Sequence, residues 1–515
     1  MAIEKVELEA LLNGEAAEVE LPEDMEEILP ENIVIEGEEE ESNIDIIPDP
    51  PEDFNKNLAE IINEDDLTAL ASDLCSDFDE DEESRREWLE TFTKGLDLLG
   101  IKAEDRSEPF PGASGVHHPL LSESVAQFQA QAYKELLPAD GPVKTQILGV
   151  ADTLTEQQAQ RVKEFMNYQI TYNMEEYDPE LDQLLFYLPL SGSAFKKVYY
   201  DPAKARAVSS FVMAEDFIVS YSTNDLTECP RATHVIEMSG NHIRKMQMAG
   251  LYRDLEIGAP ANDYESDIAG VKEKIDDITG VSKPTDSETY TVLEMHVELD
   301  LEGFEDTVDG EPTGIALPYI VTIIKESMQI LSIRKNFNPN DPLKKKIEYF
   351  VHYKFLPGLG FYGFGLIHMI GGLSKSATSL LRQLIDAGTL SNLPAGFKAR
   401  GMRIRDDDTP IEPGEWRDVD VPGGTIRDAL MPLPYKEPSG VLAQLLGVLV
   451  DSGQRFANIA DMKLGDMGQE APVGTTLAMM ERGSKIMSAI HKRLHYAQKM
   501  EFKLLARVFS ESLPP

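Results

Sequence analysis

The sequence predicts an α+β fold in which helical segments flank β-rich ones, and the periodicity of the apolar residues carries that expectation. Apolar residues recur at helical spacing in some windows and alternate in others, and they make up 42% of 515 residues, enough for real cores. A chain of this length exceeds the ~250–300 residues at which a single core stops growing, so more than one packed unit is expected.

Charge divides the chain. Residues 1–84 hold 31 acidic side chains against Lys5 and Lys56, a net -29 out of the total of -45. The run Glu38-Glu39-Glu40-Glu41 and the cluster over 77–83 lie in this stretch. A segment so acidic buries too little apolar surface to offset chain entropy, so 1–84 reads as a disordered acidic tail and folded structure as starting near residue 85. Cys75 and Cys229 are too few and too isolated for a disulfide framework or a thiolate metal site, which suits a reducing compartment. The acidic N-terminus has no apolar run behind it, and the longest apolar stretch, 441–450, is well short of a bilayer span. Neither secretion nor membrane insertion is expected.

The elements follow in order. Within 85–101, Trp88, Leu89, Phe92, Leu96 and Leu99 share a helical face, before Pro109-Phe110-Pro111-Gly112 interrupts the chain. Helices are predicted over 120–137, over 156–174 (opened by Thr153 or Thr155 ahead of Gln157) and over 178–190. Then the period changes: 193–200, 207–213 and 232–238 are short β-branched or aromatic runs between turn residues. Residues 263–278 read as a polar helix. In the cleanest strand, Leu293, Met295, Val297 and Leu299 alternate with Glu294, His296, Glu298 and Asp300, predicting one apolar face and one wet face. Strands over 319–324, 329–333 and 347–355 complete a compact β-rich module, 286–357, between two helical segments. Glycines at 358, 360, 363 and 365 lead into a helix over 366–392, interrupted by Gly371-Gly372 and closed near Gly388. A β region punctuated by Pro and Gly includes 397–405 and 415–421. Pro438 and Ser439 then open a helix with Leu442, Leu445, Leu446 and Leu449 on one face. Beyond a Gly-containing loop, a longer helix carries Met480, Met487 and Leu494 at seven-residue spacing, a packing stripe rather than a coiled coil because Gly483 interrupts it.

Three blocks carry a family resemblance: Phe361-Tyr362-Gly363-Phe364-Gly365-Leu366 continuing to Leu381-Arg382-Gln383-Leu384-Ile385-Asp386-Ala387-Gly388; Leu433-Pro434-Tyr435-Lys436-Glu437-Pro438; and Ala471-Pro472-Val473-Gly474-Thr475-Thr476 running to Ile490-His491-Lys492-Arg493-Leu494-His495. With the order of elements, they make the chain resemble the portal proteins of tailed bacteriophages, of the larger type found in short-tailed and related phages. The resemblance covers 85–515, with specific motifs only after residue 357. It implies a portal fold with an α/β wing, a helical stem, a β-rich clip and a long helix toward the crown. On this layout the wing is 85–262 and 393–438, the stem helices 263–285 and 358–392, and the clip 286–357. A wing or channel helix then covers 439–461, a tunnel loop 462–474 and the long helix 475–515. Family members commonly continue into a crown, whereas this chain stops at Pro514-Pro515, and the acidic tail has no counterpart in the pattern.

The resemblance further implies a homo-oligomeric ring of about twelve copies at one capsid vertex. Through its channel a separate ATP-driven terminase packages double-stranded DNA, which later leaves by the same route. The major capsid and scaffolding proteins, terminase and tail adaptor proteins are the implied partners. The protein would be made in the host cytoplasm and reside in the virion, with no catalysis, cofactor, metal or membrane. Its tunnel loop would present Lys463, Asp466, Gln469 and Glu470 to the channel. There Lys463 would touch phosphate while Asp466 and Glu470 limit adhesion, since a uniformly basic passage would hold DNA fast.

Other residues are weaker candidates. Lys375 and Arg382 are channel-facing candidates on the stem helix, against a plainer reading of inter-subunit ion pairing or solubility. Lys344, Lys345 and Lys346 are clip-surface candidates for DNA or terminase, against a solvated run. The cluster His491-Lys492-Arg493-His495 reads as a solvated or subunit-pairing helix face. His117-His118 does not make a metal site, because adjacent side chains on an extended chain point apart. A capsid or tail-adaptor structural protein is the alternative reading. A terminase-like enzyme is disfavoured: Lys375-Ser376 follows Ser374 where a phosphate loop needs Gly, and Asp406-Asp407-Asp408 before Thr-Pro reads as a solvated turn.

Overall fold

Apolar segments distant in the sequence pair edge to edge in two antiparallel sheets, and helices close over both. The computed structural model describes residues 54–512 except 103, 148–151, 203, 259–266, 282–288, 309–310, 393–395, 399–402, 405–418, 421–429, 434 and 458–472.

Order begins well before residue 85. Helix α1, Glu64–Ser84, buries Leu67, Ala71, Leu74 and Phe78 on one stripe, although its composition is strongly acidic. That stripe has the spacing of an amphipathic helix. Its carboxylates do more than solvate the surface: Asp77 and Asp81 flank Arg231, with Asp81 at 2.7 Å, Glu64 pairs with Arg253 at 2.7 Å, and Asp79 pairs with Lys325. Just upstream, the Asn57 amide donates to Leu331 O (3.1 Å) and accepts from Ile333 N (3.0 Å), covering the open edge of a strand. The expectation of a disordered tail to residue 84 therefore fails for 54–84, because a few well-spaced apolar residues outweigh many acids that find cations.

Helices α2 (Arg86–Leu96), α3 (Leu120–Leu136), α4 (Thr153–Tyr168) and α5 (Tyr177–Ser191) match the predicted helical windows. Helix α4 opens on Asp152, whose carboxylate accepts from Thr153 N at 2.7 Å while Thr155 reaches back to Asp152 N at 2.9 Å. The core here joins Leu89, Phe92, Leu121, Phe128, Leu184 and Leu188.

Strands β1 (Ser193–Asp201), β2 (Arg206–Val212), β3 (Phe217–Val219) and β4 (Arg231–Ser239) come next, followed by α6 (Gly240–Met248) and α7 (Asp267–Thr279). Then come β5 (Thr289–Leu299), the small hairpin β6 (Thr307–Val308) and β7 (Glu311–Pro312), and the strands β8 (Leu317–Ile324), β9 (Gln329–Lys335) and β10 (Phe350–Lys354). The sheets run β10-β1-β2 and β3-β4-β5-β8-β9. Residues 286–357 thus form no self-contained module: β5 lies between β4 and β8, and β10 pairs with β1, Ser193 opposite Lys354. The polar helix α7 packs on α2.

One face of β5 buries Leu293, Met295 and Val297 beneath α1. The other face is wet as its alternation predicts only at Glu298 and Asp300. Glu294 pairs with Lys197 of β1 at 2.6 Å and with His296 at 3.0 Å, and the His296 ring meets Phe350 edge-on at 5.2 Å. The second sheet covers Glu294 and His296, which are paired rather than solvated, while Glu298 and Asp300 at the end of the strand are exposed.

The remaining helices are α8 (Leu366–Asn392), α9 (Gly440–Ala457) and α10 (Val473–Ser512). Between α8 and α9 run the short strands β11 (Gly396–Lys398), β12 (Arg403–Ile404), β13 (Val419–Asp420) and β14 (Leu430–Pro432). Helix α10 seals the smaller sheet with Ile490, Leu494, Leu505 and Val508. Beneath it, the fully buried Glu501 accepts from Ser209 Oγ at 2.6 Å and from the Tyr353 hydroxyl. Lys196, also fully buried, sits 4.8 Å over the Tyr177 ring and donates to Ser209 O at 3.2 Å. Burial pushes the Lys196 ammonium pKa down, and the Glu501 and Glu180 carboxylates oppose that shift.

Candidate functional site

Helix α8, a short β arm and a returning helix follow one another in the chain, and α8 packs on α2, α3 and α5 of the body. Helix α8 starts where backbones touch: a Cβ on Gly365 would meet Leu190 O at 2.1 Å. Gly192, at φ 88°, supplies the left-handed turn on the other side of that contact. Ile367, Ile370, Ser374 and Ala377 bury the inward face of α8. Farther along, Thr378 Oγ1 accepts from His118 N at 3.1 Å and Asp386 accepts from Ser114 N at 2.7 Å.

Beyond Asn392 the chain leaves as β11 and returns as β14, with Gly396 opposite Pro432 and Lys398 opposite Leu430. Farther out β12 pairs with β13, Arg403 opposite Asp420. Helix α9 then runs back along α8, as Pro438 approaching Gly388 and the packing of the two helices show. Near its end Gly453 presses on Leu120 of α3, where a Cβ would lie 2.5 Å from Leu120 Cδ2.

The leucines predicted to share one face of α9 divide. Leu442, Leu446 and Leu449 are half-buried, whereas Leu445 is 45% exposed, with Val441 at 71% and Val448 at 62%. Residues 441, 445 and 448 are successive neighbours on one side of a helix. This outward apolar stripe was missed in the sequence because α9 is apolar nearly all round, so no single face stood out.

The predicted site residues are scattered rather than gathered. Lys375 is exposed on α8. Arg382 is engaged within the chain: Nε donates to Val116 O at 2.8 Å, and Nη2 meets Glu104 at 2.8 Å and His117 Nε2 at 2.8 Å. Lys344 pairs with Asp306, and Lys346 donates to the carbonyls of Leu226 (2.5 Å) and Cys229 (2.7 Å). Lys345 is exposed. Lys463, Asp466, Gln469 and Glu470, like Asp406-Asp407-Asp408, lie outside the described residues. His117 pairs with Glu104 at 3.1 Å, and His495 contacts Glu135 at 3.3 Å. Among the described residues no three His, Cys, Asp or Glu side chains converge to hold a metal ion, and no helix is long and apolar enough to cross a membrane.

Chemically, this arrangement offers a two-sheet body, a helical pair packed on it and an apolar stripe uncovered within one subunit. The class of protein, a structural component of a phage particle, comes from the sequence comparison. Residues 143–452, more than half of the chain, match the family model described as the phage SU10 portal protein, and the chain belongs to that family. No curated protein matches it. The matched span takes in both sheets, α8, the β arm and most of α9. The family is a structural, non-enzymatic kind of virion capsid component, and membership implies an oligomeric ring associated with the capsid and with packaging.

Proposed function

We propose that copies of this chain close into a ring of about twelve around a channel at one capsid vertex. Through that channel a separate terminase packages double-stranded DNA, which later leaves toward tail or adaptor proteins. The observation that carries this reading is the stripe Val441, Leu445 and Val448, uncovered within one subunit on the helix that runs back along α8. A stripe of this kind seeks a partner, and in a ring-forming family the partner is the next copy.

We assign the stem to α8 and α9 and the clip to the arm at 393–438, in place of 263–285 and 286–357. Supporting this are the strand pairings that commit 289–354 to the body and the packing of α7 on α2. Terminase and adaptors would then meet the arm. The loop at 462–474, with Lys463, Asp466, Gln469 and Glu470, would face the channel between α9 and α10, and Lys375 would lie on the stem. Lys344, Lys346 and Arg382 leave the set of DNA candidates, since each is engaged within the subunit.

Electron microscopy of the purified full chain tests the reading: class averages should show closed rings with a central hole. Monomers, filaments or solid particles at micromolar concentration would sink it. Deleting 463–469 should then leave rings intact and impair DNA packaging.

A further inference from the structure

Helix α10 carries on its outer side a charge opposite to that of the molecule. From Ala489 to Lys503 its exposed side chains are Ala489, Lys492, His495, Tyr496, Lys499 and Lys503. At about 100° per residue, Lys492, Tyr496, Lys499 and Lys503 fall within an arc of about 60°. Tyr496 is 66% exposed. The only acid within 489–510 of this helix is Glu501, which is fully buried on the opposite side. His495 lies at the flank and is held by Glu135.

The plain alternative is a solvated face, and elsewhere this chain makes such faces by pairing. Lys94 meets Glu90 four residues away at 2.7 Å, and Arg86 meets Glu83 three away at 2.9 Å. Lys492, Lys499 and Lys503 have no acidic residue three or four positions away in either direction, and among the described residues none of them forms an ion pair. Lys499 and Lys503 also repel each other at a spacing where like charges cost roughly 0.2–0.5 kcal/mol. In a chain with 92 acidic and 47 basic residues, an unrelieved run of lysines on one face is the exception.

The geometry suits a regular polyanion. The stripe spans about 16 Å at ~1.5 Å per residue, and one strand of a duplex advances about 3.4 Å per phosphate, so it faces roughly five phosphates. Lysines supply charge and the Tyr496 hydroxyl supplies a donor, the usual sequence-independent contacts to a backbone. We propose that the Lys492–Tyr496–Lys499–Lys503 face of α10 binds the phosphate backbone of double-stranded DNA without reading its sequence. The choice of DNA among polyanions rests on the portal reading.

The test uses the full chain, a labelled duplex of about 30 base pairs and fluorescence anisotropy at about 50–200 mM salt. Replacing Lys492→Gln, Lys499→Gln and Lys503→Gln together should weaken binding about 10–100-fold at ~100 mM salt. It should also flatten the dependence of log K on log salt by about 2–3, at ~0.9 for each phosphate no longer neutralised. Lys245→Gln, at an exposed lysine of α6, should change neither. Unchanged affinity and slope in the triple variant would overturn the proposal, as would a wild-type chain that forms rings but binds no duplex. Loss of rings in the triple variant would make the face a subunit contact and overturn it too. A labelled peptide of residues 1–50 provides the last arm: loss of peptide binding with DNA binding kept would assign the face to the acidic segment instead. Failure of the wild-type chain to form rings would count against the portal reading, whereas the anisotropy result judges the lysine face.

Discussion

The α9 stripe supports a quantitative test through Leu445→Asp combined with Val448→Asp. Both side chains already face solvent within one subunit, at 45% and 62% exposure, so the monomer should keep its stability to within about 0.5 kcal/mol. Full burial of a Val or Leu contributes about 1.5–3 kcal/mol, so covering the exposed portions of these two gives roughly that amount for one side chain. The substitution removes that gain and places two carboxylates in a desolvated contact, which costs several kcal/mol more unless they are paired or protonated. A net loss of about 3–5 kcal/mol per contact raises the contact's dissociation constant by roughly 150–5,000-fold. Mass photometry at submicromolar concentration should show rings for the wild type and monomers for the double variant, with superimposable thermal melts in far-UV circular dichroism once ring stabilisation is allowed for. Rings that persist in the variant at the same concentration would refute the assignment of α9 to the subunit contact. A variant monomer that unfolds would show instead that the stripe packs inside the subunit.

Other consequences follow from the buried groups. Phe78→Ala in α1 should cost about 3–5 kcal/mol in denaturant unfolding, because Phe78 is 1% exposed; a loss under about 1 kcal/mol would mean that α1 is only loosely docked. Burial, with Asp216 beside it, pushes the Glu215 carboxyl up from 4.5 to about 7. The native state then holds its proton longer than the unfolded chain, so the stability contributed by Glu215 is fully present below about pH 4.5 and is lost as pH rises to about 7. The stability of the wild type relative to Glu215→Gln should drop by about 2 kcal/mol between roughly pH 5.5 and pH 8, and a flat difference would show that Glu215 is ionised in the fold. Glu501→Ala takes the acceptor from the Ser209 and Tyr353 hydroxyls and one of two opposing carboxylates from Lys196, which keeps Glu180 at 3.9 Å, and should cost about 3–5 kcal/mol, part of it recovered by Glu501→Leu with Lys196→Met; equal melting temperatures for the single and double variants would deny their coupling.

Local periodicity was legible, and long-range partnership was not. The helices at 120–137 and 178–190 and the alternation from Leu293 to Leu299 stand where spacing predicts them. Spacing cannot say which strand lies beside which, so 286–357 read as a unit although β5 pairs with β4 and β10 pairs with β1. Composition misled in a similar way. In 64–84, Leu67, Ala71, Leu74 and Phe78 already had helical spacing, but averaged over the window the acids concealed it. The same limit applies to single cations: nothing in the run Lys344-Lys345-Lys346 reveals that its two outer members reach back to Asp306 and to Leu226 and Cys229.

These pairings change what the net charge of -45 means. Much of the basic complement is taken up inside the subunit. Arg85 donates to the carbonyls of Ala214 (2.7 Å) and Phe217 (3.0 Å), Arg231 sits between Asp77 and Asp81, Arg253 meets Glu64, and Arg382 holds the 104–117 segment to α8. The acids of α1 that look like a solvated tail are the partners of several of these cations. What is left for the outer surface is acidic, so a duplex close to it is repelled unless it meets a place where cations stand without acids beside them. Mild repulsion with sparse contacts is the condition under which DNA is guided without being held, because each phosphate contact adds to a salt-dependent affinity that a ring multiplies. Three lysines per copy on α10 fit that condition, and a fully basic wall would not.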